Sequence, residues 1–333
     1  VEEGPNKPYL YRGKAYRRSD TATVEVDNVE LRRLVLAGQN MHFEELPCHK
    51  QDLTFRALEE KLEAEHVVKA LNGDVLRTFN LFNFEAGFNN AALIVSDQNT
   101  FPGIDVARFG ESINIIADRA TLEGSSIIEQ IDGACTMFER YYSVETIEGA
   151  RRATHYSIPY EAFREAVANA VAHRTWDVNA KIRIAMHPNR IEISSPGGLP
   201  AGLGRDEYLR GFISQLRNPI LANVLFRLNI IEMFGTGIVR IRSSYVEYEQ
   251  KPEFDVSENA VRVTLPVTDA RPALTSNEEL VYRFVKEEGP TASGQIVANF
   301  NFGKDKAVNL LRSLVEKRYV EKTGTGRGTK YHA

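Results

Sequence analysis

Apolar positions recur every three or four residues in several stretches of the chain and alternate with polar ones in others. The clearest stripe is Phe163, Ala166, Val167, Ala170 and Val171. It predicts a helix from about Pro159, a proline suited to a first turn, to His173. Similar spacing predicts helices over 27–37, 53–71, 124–142 and 218–228, and another carrying Ile238, Ile241 and Tyr245 after Gly235-Thr236-Gly237. Asp27 is placed to cap the first of these, with Glu30 at the capping-box spacing. Short apolar or alternating runs predict strands at 91–96, 104–109, 180–186, 190–194, 253–256 and 260–265. Residues 7–27 read as a small β unit in which Tyr9, Tyr11 and Tyr16 interleave with Arg12, Lys14, Arg17 and Arg18. Helices mixed with antiparallel strands define an α+β chain.

The stretch Pro266 to Leu274 has no apolar periodicity and carries prolines at 266 and 272, so it reads as a linker. Beyond it come three helical patterns: 276–287, 291–300 with Thr291 as its cap, and 304–317. A strand at 318–322, a glycine-rich tip at 324–328 and a strand at 329–332 follow. That order is the order of a winged helix-turn-helix.

Composition narrows the class. The 333 residues are 43% hydrophobic and 26% charged, which excludes general disorder and fits about two domains. No run approaches the roughly 18 apolar residues of a membrane span. Only Cys48 and Cys135 are present, too few for a disulfide framework, and the acidic start has no apolar leader. A cytoplasmic setting is expected. The net charge of −4 excludes a uniformly basic coat. From 274 to 333, however, 10 Lys and Arg face 7 Asp and Glu, leaving that segment at +3 and the rest at −7. Lys304, Lys306, Asn309 and Arg312 on the third helix, with Arg327 and Lys330 on the hairpin, are therefore the expected contacts to double-stranded DNA. A dimerisation or protein-docking role is the alternative for such a module.

Glu165, Asn169 and His173 follow one another at intervals of four, so they share one helix face. An amide oxygen can ligate magnesium, and a carboxylate one turn away can orient or deprotonate water. The same spacing also fits a plain helix border facing solvent. His42, Cys48, His49 and His66 lack a zinc-ligand spacing, so no zinc is expected. Neither a Gly-x-Ser-x-Gly elbow nor a Gly-x-x-x-x-Gly-Lys-Ser/Thr loop occurs.

Glu165-x-x-x-Asn169-Ala170 resembles the first conserved box of the GHKL ATP-binding fold. "FREAVANAVAHRTW", "RIEISSPGGLP", "RNPILANVLFRLNIIEMFGTGIVRI" and the terminal helices and hairpin together resemble a family of bacterial and archaeal transcriptional regulators. Its members join an AlbA-type, Schlafen-related amino-terminal domain, a divergent GHKL-like domain and often a helix-turn-helix. The resemblance implies four segments: 1–40 as the remnant of the AlbA-type domain, 41–150 as a connecting α/β region, 151–266 as a GHKL ATPase-like sandwich, and 274–333 as the winged helix. The chain opens on Val1, which fits a start truncated from a longer protein. The resemblance further implies Glu165 as the catalytic, water-orienting carboxylate and Asn169 as the magnesium ligand. Ser195, Gly197 and Gly198 stand at the Asp-x-Gly-x-Gly box, with serine replacing the adenine-binding Asp. Gly235, Thr236 and Gly237 stand at the later glycine box, giving a site for ATP and magnesium. The implied function is a homodimeric DNA-binding regulator that senses a nucleotide or other ligand. A magnesium-dependent ATPase acting in DNA remodelling or repair, and a non-catalytic scaffold, remain alternatives.

Overall fold

The computed structural model describes residues 7–19, 22–148, 151–200, 202–211, 215–232, 235–268, 274–317, 319–324 and 326–333. The chain divides into two compact units, 1–268 and 269–333. The fold is mixed α+β.

The first unit begins with a hairpin, β1 (Tyr16–Ser19) and β2 (Ala22–Glu25), and helix α1 (Asn28–Gly38). Asp27 caps α1, accepting from the Val29 and Glu30 amides at 2.9 and 2.8 Å. The Glu30 carboxylate does not close the expected capping box; it lies 3.3 Å from Arg17. Two helices follow, α2 (Arg56–Ala64) and α3 (Gly73–Thr78). The helix predicted over 53–71 is shorter than expected, as α2, and α3 lies beyond that range. His66 takes a left-handed φ of 58°, which ends the first, and the Asn72 side chain starts the second by accepting from the Asp74 and Val75 amides at 3.0 Å. A short pair, β3 (Phe82–Asn83) and β4 (Gly87–Phe88), leads into α4 (Asn90–Val95).

The run at 91–96 was expected to be a strand, and α4 corrects that. Its six residues are all buried. A continuous apolar run of this length fits a buried strand or a buried helix equally. The Asn89 side chain decides it by accepting from the Ala92 amide at 2.9 Å, an N-cap.

The core sheet has six strands: β5 (Ile104–Phe109), β6 (Ile116–Leu122), β9 (Ile182–His187), β10 (Arg190–Pro196), β11 (Glu253–Val256) and β12 (Ala260–Pro266). Their spatial order is β11-β12-β10-β9-β5-β6. Every neighbour is antiparallel except β5 and β9, which run parallel with Ile104 opposite Ile182. The sheet thus takes strands from both sides of residue 150. A second hairpin, β7 (Ser143–Glu148) and β8 (Arg151–Tyr156), carries no predicted counterpart. Helices α5 (Ile127–Tyr142), α6 (Tyr160–Ala172) and α8 (Pro219–Arg227) pack their apolar faces into one cluster with the sheet, α9 (Gly237–Ser243) lies against α6, and α7 (Arg205–Arg210) lies against α9. Pro159 is the N-cap residue of α6 rather than part of its first turn.

Two long-range polar contacts fix this arrangement. Glu44, fully buried, accepts the Ile220 and Leu221 amides at 2.5 and 2.9 Å and so satisfies the start of α8. Burial pushes its carboxyl up to about 7 against the pull of those two amides. Asn218 gives its amide to the Ala172 and Arg174 carbonyls, both at 2.8 Å, and so ties the end of α6 to the start of α8.

The second unit holds α10 (Ser276–Glu288), α11 (Ser293–Phe300), α12 (Lys304–Glu316) and a hairpin, β13 (Glu321–Thr323) with β14 (Lys330–His332). Ala292, not Thr291, occupies the cap position of α11. Thr291 exchanges two 2.9 Å backbone hydrogen bonds with Tyr331 and extends the hairpin by a bridge. The strand expected at 318–322 begins later, at Glu321.

Glu278 is the ionic node of this unit. It accepts from Ser313 Oγ at 2.5 Å, from Lys317 Nζ at 2.8 Å and from the Thr275 amide at 2.6 Å. Desolvation opposes its ionisation, but Lys317, Ser313 and Thr275 outweigh it and hold the carboxyl at about 2. A depressed folded value means the stabilisation is full above the unfolded value of roughly 4.3 and fades as pH falls toward 2. Glu278→Gln is expected to destabilise this unit by about 2–4 kcal/mol at neutral pH. It should also flatten the loss of stability between roughly pH 4.5 and 2, both read by urea melts across pH.

Candidate functional site

Helix α6 carries a polar ridge on an otherwise buried surface. Glu165 is 5% exposed, and Asn169 and His173 are partly buried. The Asn169 amide donates to Glu165 Oε1 at 3.0 Å. With its nitrogen committed to the carboxylate, Asn169 keeps Oδ1 as its acceptor for anything beyond. Burial raises the Glu165 carboxyl above its ordinary value. Asn169, Arg240 and Arg164 pull it back, and Glu232 adds to the rise. Arg240 is itself paired with Glu232 at 3.1 Å.

Strand β10 alternates, so that Ile191, Ile193 and Ser195 turn to the buried face. The Ser195 hydroxyl donates to the Ala170 carbonyl at 2.7 Å, stitching the strand to α6. Its proton is thereby engaged, and the oxygen is left to accept. The chain then turns through Gly197 at φ 101°. A Cβ there would collide with the Thr175 hydroxyl and the Arg217 guanidinium, and one at Gly198 with the Glu258 carbonyl. Arg217 locks the turn by donating to Thr175 Oγ1 and, at 2.8 Å, to the Gly198 carbonyl.

Gly235, at φ 67°, leads through Thr236 into α9. Gly237 is the first residue of that helix and sits against the polar ridge. A Cβ there would lie 2.8 Å from Glu165 Oε1 and closer still to the Asn169 amide nitrogen.

These pieces converge on one cavity of about 100 Å³, open on one side. Asn169, Ser195, Gly197, Gly198, Gly235 and Gly237 all line it. Glu165 and Thr236 do not line it; Glu165 is joined to its wall through the Asn169 hydrogen bond. Ile193, Leu203, Val261 and Val263 supply an apolar side. His173, Tyr208, Gln215 and Glu232 also line it and were not singled out as site residues. The four-residue spacing already placed His173 on the right face. Tyr208 and Gln215 lie where no periodicity marks them. Burial and the nearby Arg217 push the His173 imidazole down to about 4, so it is neutral at pH 7. Burial lifts the Tyr208 phenol to about 12. Among the described residues the lining contains no lysine or arginine.

In the second unit, Lys304, Lys306, Asn309 and Arg312 are exposed on α12, opposite the buried Ala307, Leu311 and Leu314. The Lys306 ammonium lies 4.3 Å from the centre of the Phe302 ring. Lys330 is exposed on β14, and the side chain of Arg327 lies outside the described residues. Among the described residues no helix is long and apolar enough to cross a membrane, and no group of three or more His, Cys, Asp or Glu side chains is placed to hold a metal.

Residues 179–265 match a family model described as "Putative ATP-dependent DNA helicase recG C-terminal". The chain therefore contains an ATPase-like domain. A search of the curated proteins found no match. Among solved structures, the chain is similar to the crystal structure of the DIP2311 protein from Corynebacterium diphtheriae. The identity is 17% and the TM-score 0.59, with all of this chain and 72% of that one covered. At that identity the likeness concerns the fold.

Proposed function

We propose that the cavity of the ATPase-like domain binds an adenine nucleotide with magnesium, and that the second unit is a winged helix that holds double-stranded DNA. Together they make a ligand-responsive DNA-binding regulator with a GHKL-like sensor domain. One observation carries the nucleotide reading. Asn169, the Ser195–Gly198 turn and the Gly235–Gly237 turn are far apart in sequence and share the wall of one cavity.

The residues fit such a ligand. The apolar side offers two valines, an isoleucine and a leucine to a flat base. Ser195, its own proton given to Ala170, presents an acceptor, which suits an exocyclic amino group. Asn169 Oδ1 is a hard oxygen, and magnesium is commonly held by few protein ligands together with phosphates and water. A bound nucleotide would supply those phosphate oxygens. Glu165 holds the Asn169 amide in place. Its absence from the cavity wall favours sensing over rapid hydrolysis, because a general base must reach the attacking water.

For the second unit, the support is the order of three helices and a hairpin and the exposed Lys304, Lys306, Asn309 and Arg312. In a winged helix the third helix meets the major groove. Protein surfaces of this kind are often paired across two half-sites, which makes a homodimer part of the proposal.

Magnesium-ATP in large excess is expected to raise the melting temperature of the full chain by several degrees. Asn169→Ala and Gly237→Ala should both abolish that shift, and phosphate release should stay near background. An unshifted wild type sinks the nucleotide reading; fast release lost in Glu165→Gln makes the protein an ATPase instead. For DNA, Lys306→Ala with Arg312→Ala should weaken binding and reduce the salt slope by about 2. Fluorescence anisotropy over a salt series measures it, and unchanged binding removes α12 from the DNA contact.

A further inference from the structure

A second cavity, of about 820 Å³, shares the Gly197–Leu199 segment as a wall with the first. It opens between α1 and residues 175–178. One side is apolar: Val29, Leu36, Met41, Phe43 and Val178. The other carries three guanidinium groups, Arg32, Arg33 and Arg217.

The charges there do not cancel. Asp177 is engaged by Arg33 through two hydrogen bonds of 2.7 and 3.0 Å. Glu258 is engaged by Arg17 at 3.0 Å. Arg217 is partly buried and donates only to neutral oxygens, the Thr175 hydroxyl and the Gly198 carbonyl. Among the described residues no carboxylate comes within ion-pair distance of it. Arg32 is exposed and makes no hydrogen bond or ion pair among the described residues. Burial, and then the neighbouring Arg33, lower the Arg217 pKa, with Asp177 opposing. A partly desolvated guanidinium without an anion is costly, and a forked donor suits a planar or tetrahedral oxyanion.

We propose that this cavity binds a small amphipathic organic anion, its acidic group between Arg32 and Arg217 and its hydrocarbon or aromatic part against Leu36, Met41 and Phe43. The site is separate from the nucleotide cavity and does not depend on that assignment. Arg217 links the two, because it also holds Gly198 in their common wall. An occupant drawing on Arg217 therefore acts directly on the turn that borders the first cavity.

The test uses the full native chain and two dyes. One is 8-anilinonaphthalene-1-sulfonate; the other is N-phenyl-1-naphthylamine, the same ring system without the sulfonate. The sulfonate dye should bind one saturable site, and the uncharged dye should bind about tenfold more weakly or worse. Arg32→Ala, a surface change that leaves the melting temperature in place, should weaken the sulfonate dye by about tenfold, as should Arg217→Lys. Asn169→Ala should leave dye binding unchanged. Equal binding of the two dyes, unaltered affinity in Arg32→Ala, loss of dye in Asn169→Ala, or no saturable site would each overturn the proposal. Failure of magnesium-ATP to bind, with the dye result intact, would count against the nucleotide reading alone.

Discussion

The contact between Gly237 and the Glu165–Asn169 pair sets the geometry around the cavity. A Cβ at 237 would stand 2.8 Å from a carboxylate oxygen and nearer still to an amide nitrogen. Only a bare backbone lets α9 begin there. Because α9 begins there, the Gly235–Gly237 turn reaches the same cavity as Asn169. The pair in turn depends on its own hydrogen bond. A carboxylate 5% exposed is costly to keep charged, and burial accordingly raises the Glu165 pKa. The Asn169 amide offsets part of that cost and in doing so fixes which end of the side chain remains available.

The remaining walls are held by contacts from distant parts of the chain. Ser195 is pinned to the Ala170 carbonyl, so β10 and α6 cannot slide apart without losing a buried hydrogen bond. Asn218 bridges the end of α6 and the start of α8, and Glu44 closes the start of α8 from a segment more than 170 residues earlier. Arg174, fully buried, gives its guanidinium to the Pro102 and Ala180 carbonyls and lies 4.3 Å over Trp176. It joins the turn before β5 to the segment before β9, the two strands that run parallel. The site is framed by the ATPase-like region and by residues before it, since β5 and β6 complete the same sheet.

What could be read directly from the chain was local and periodic. The stripe on α6 placed its helix to within a residue or two, and the four-residue spacing brought Glu165, Asn169 and His173 to one face. The glycine turns were visible as dipeptides, and their need for glycine follows from Gly197 at φ 101° and the tight approach at Gly237. What escaped depended on neighbours. The apolar run Ala91–Val95 has no period to distinguish helix from strand, and an asparagine cap decided it. The 53–71 pattern hid a left-handed break at His66. The β7–β8 hairpin lacks a clean alternation of apolar and polar residues in its sequence. Glu44 looked like any acidic residue, because the two amides that bind it lie on α8. The pairing of Glu165 with the Asn169 amide is likewise a matter of side-chain placement that spacing alone does not give.

The central claim is that the Asn169, Ser195 and glycine-turn walls form a nucleotide cavity. A crystal structure grown with magnesium and a non-hydrolysable ATP analogue tests it most directly. The account predicts a base against Ile193 and Val263 with its amino group on Ser195 Oγ, and phosphates beside Asn169 and the Gly235–Gly237 turn. An empty cavity at saturating analogue, or the analogue bound elsewhere, would contradict it.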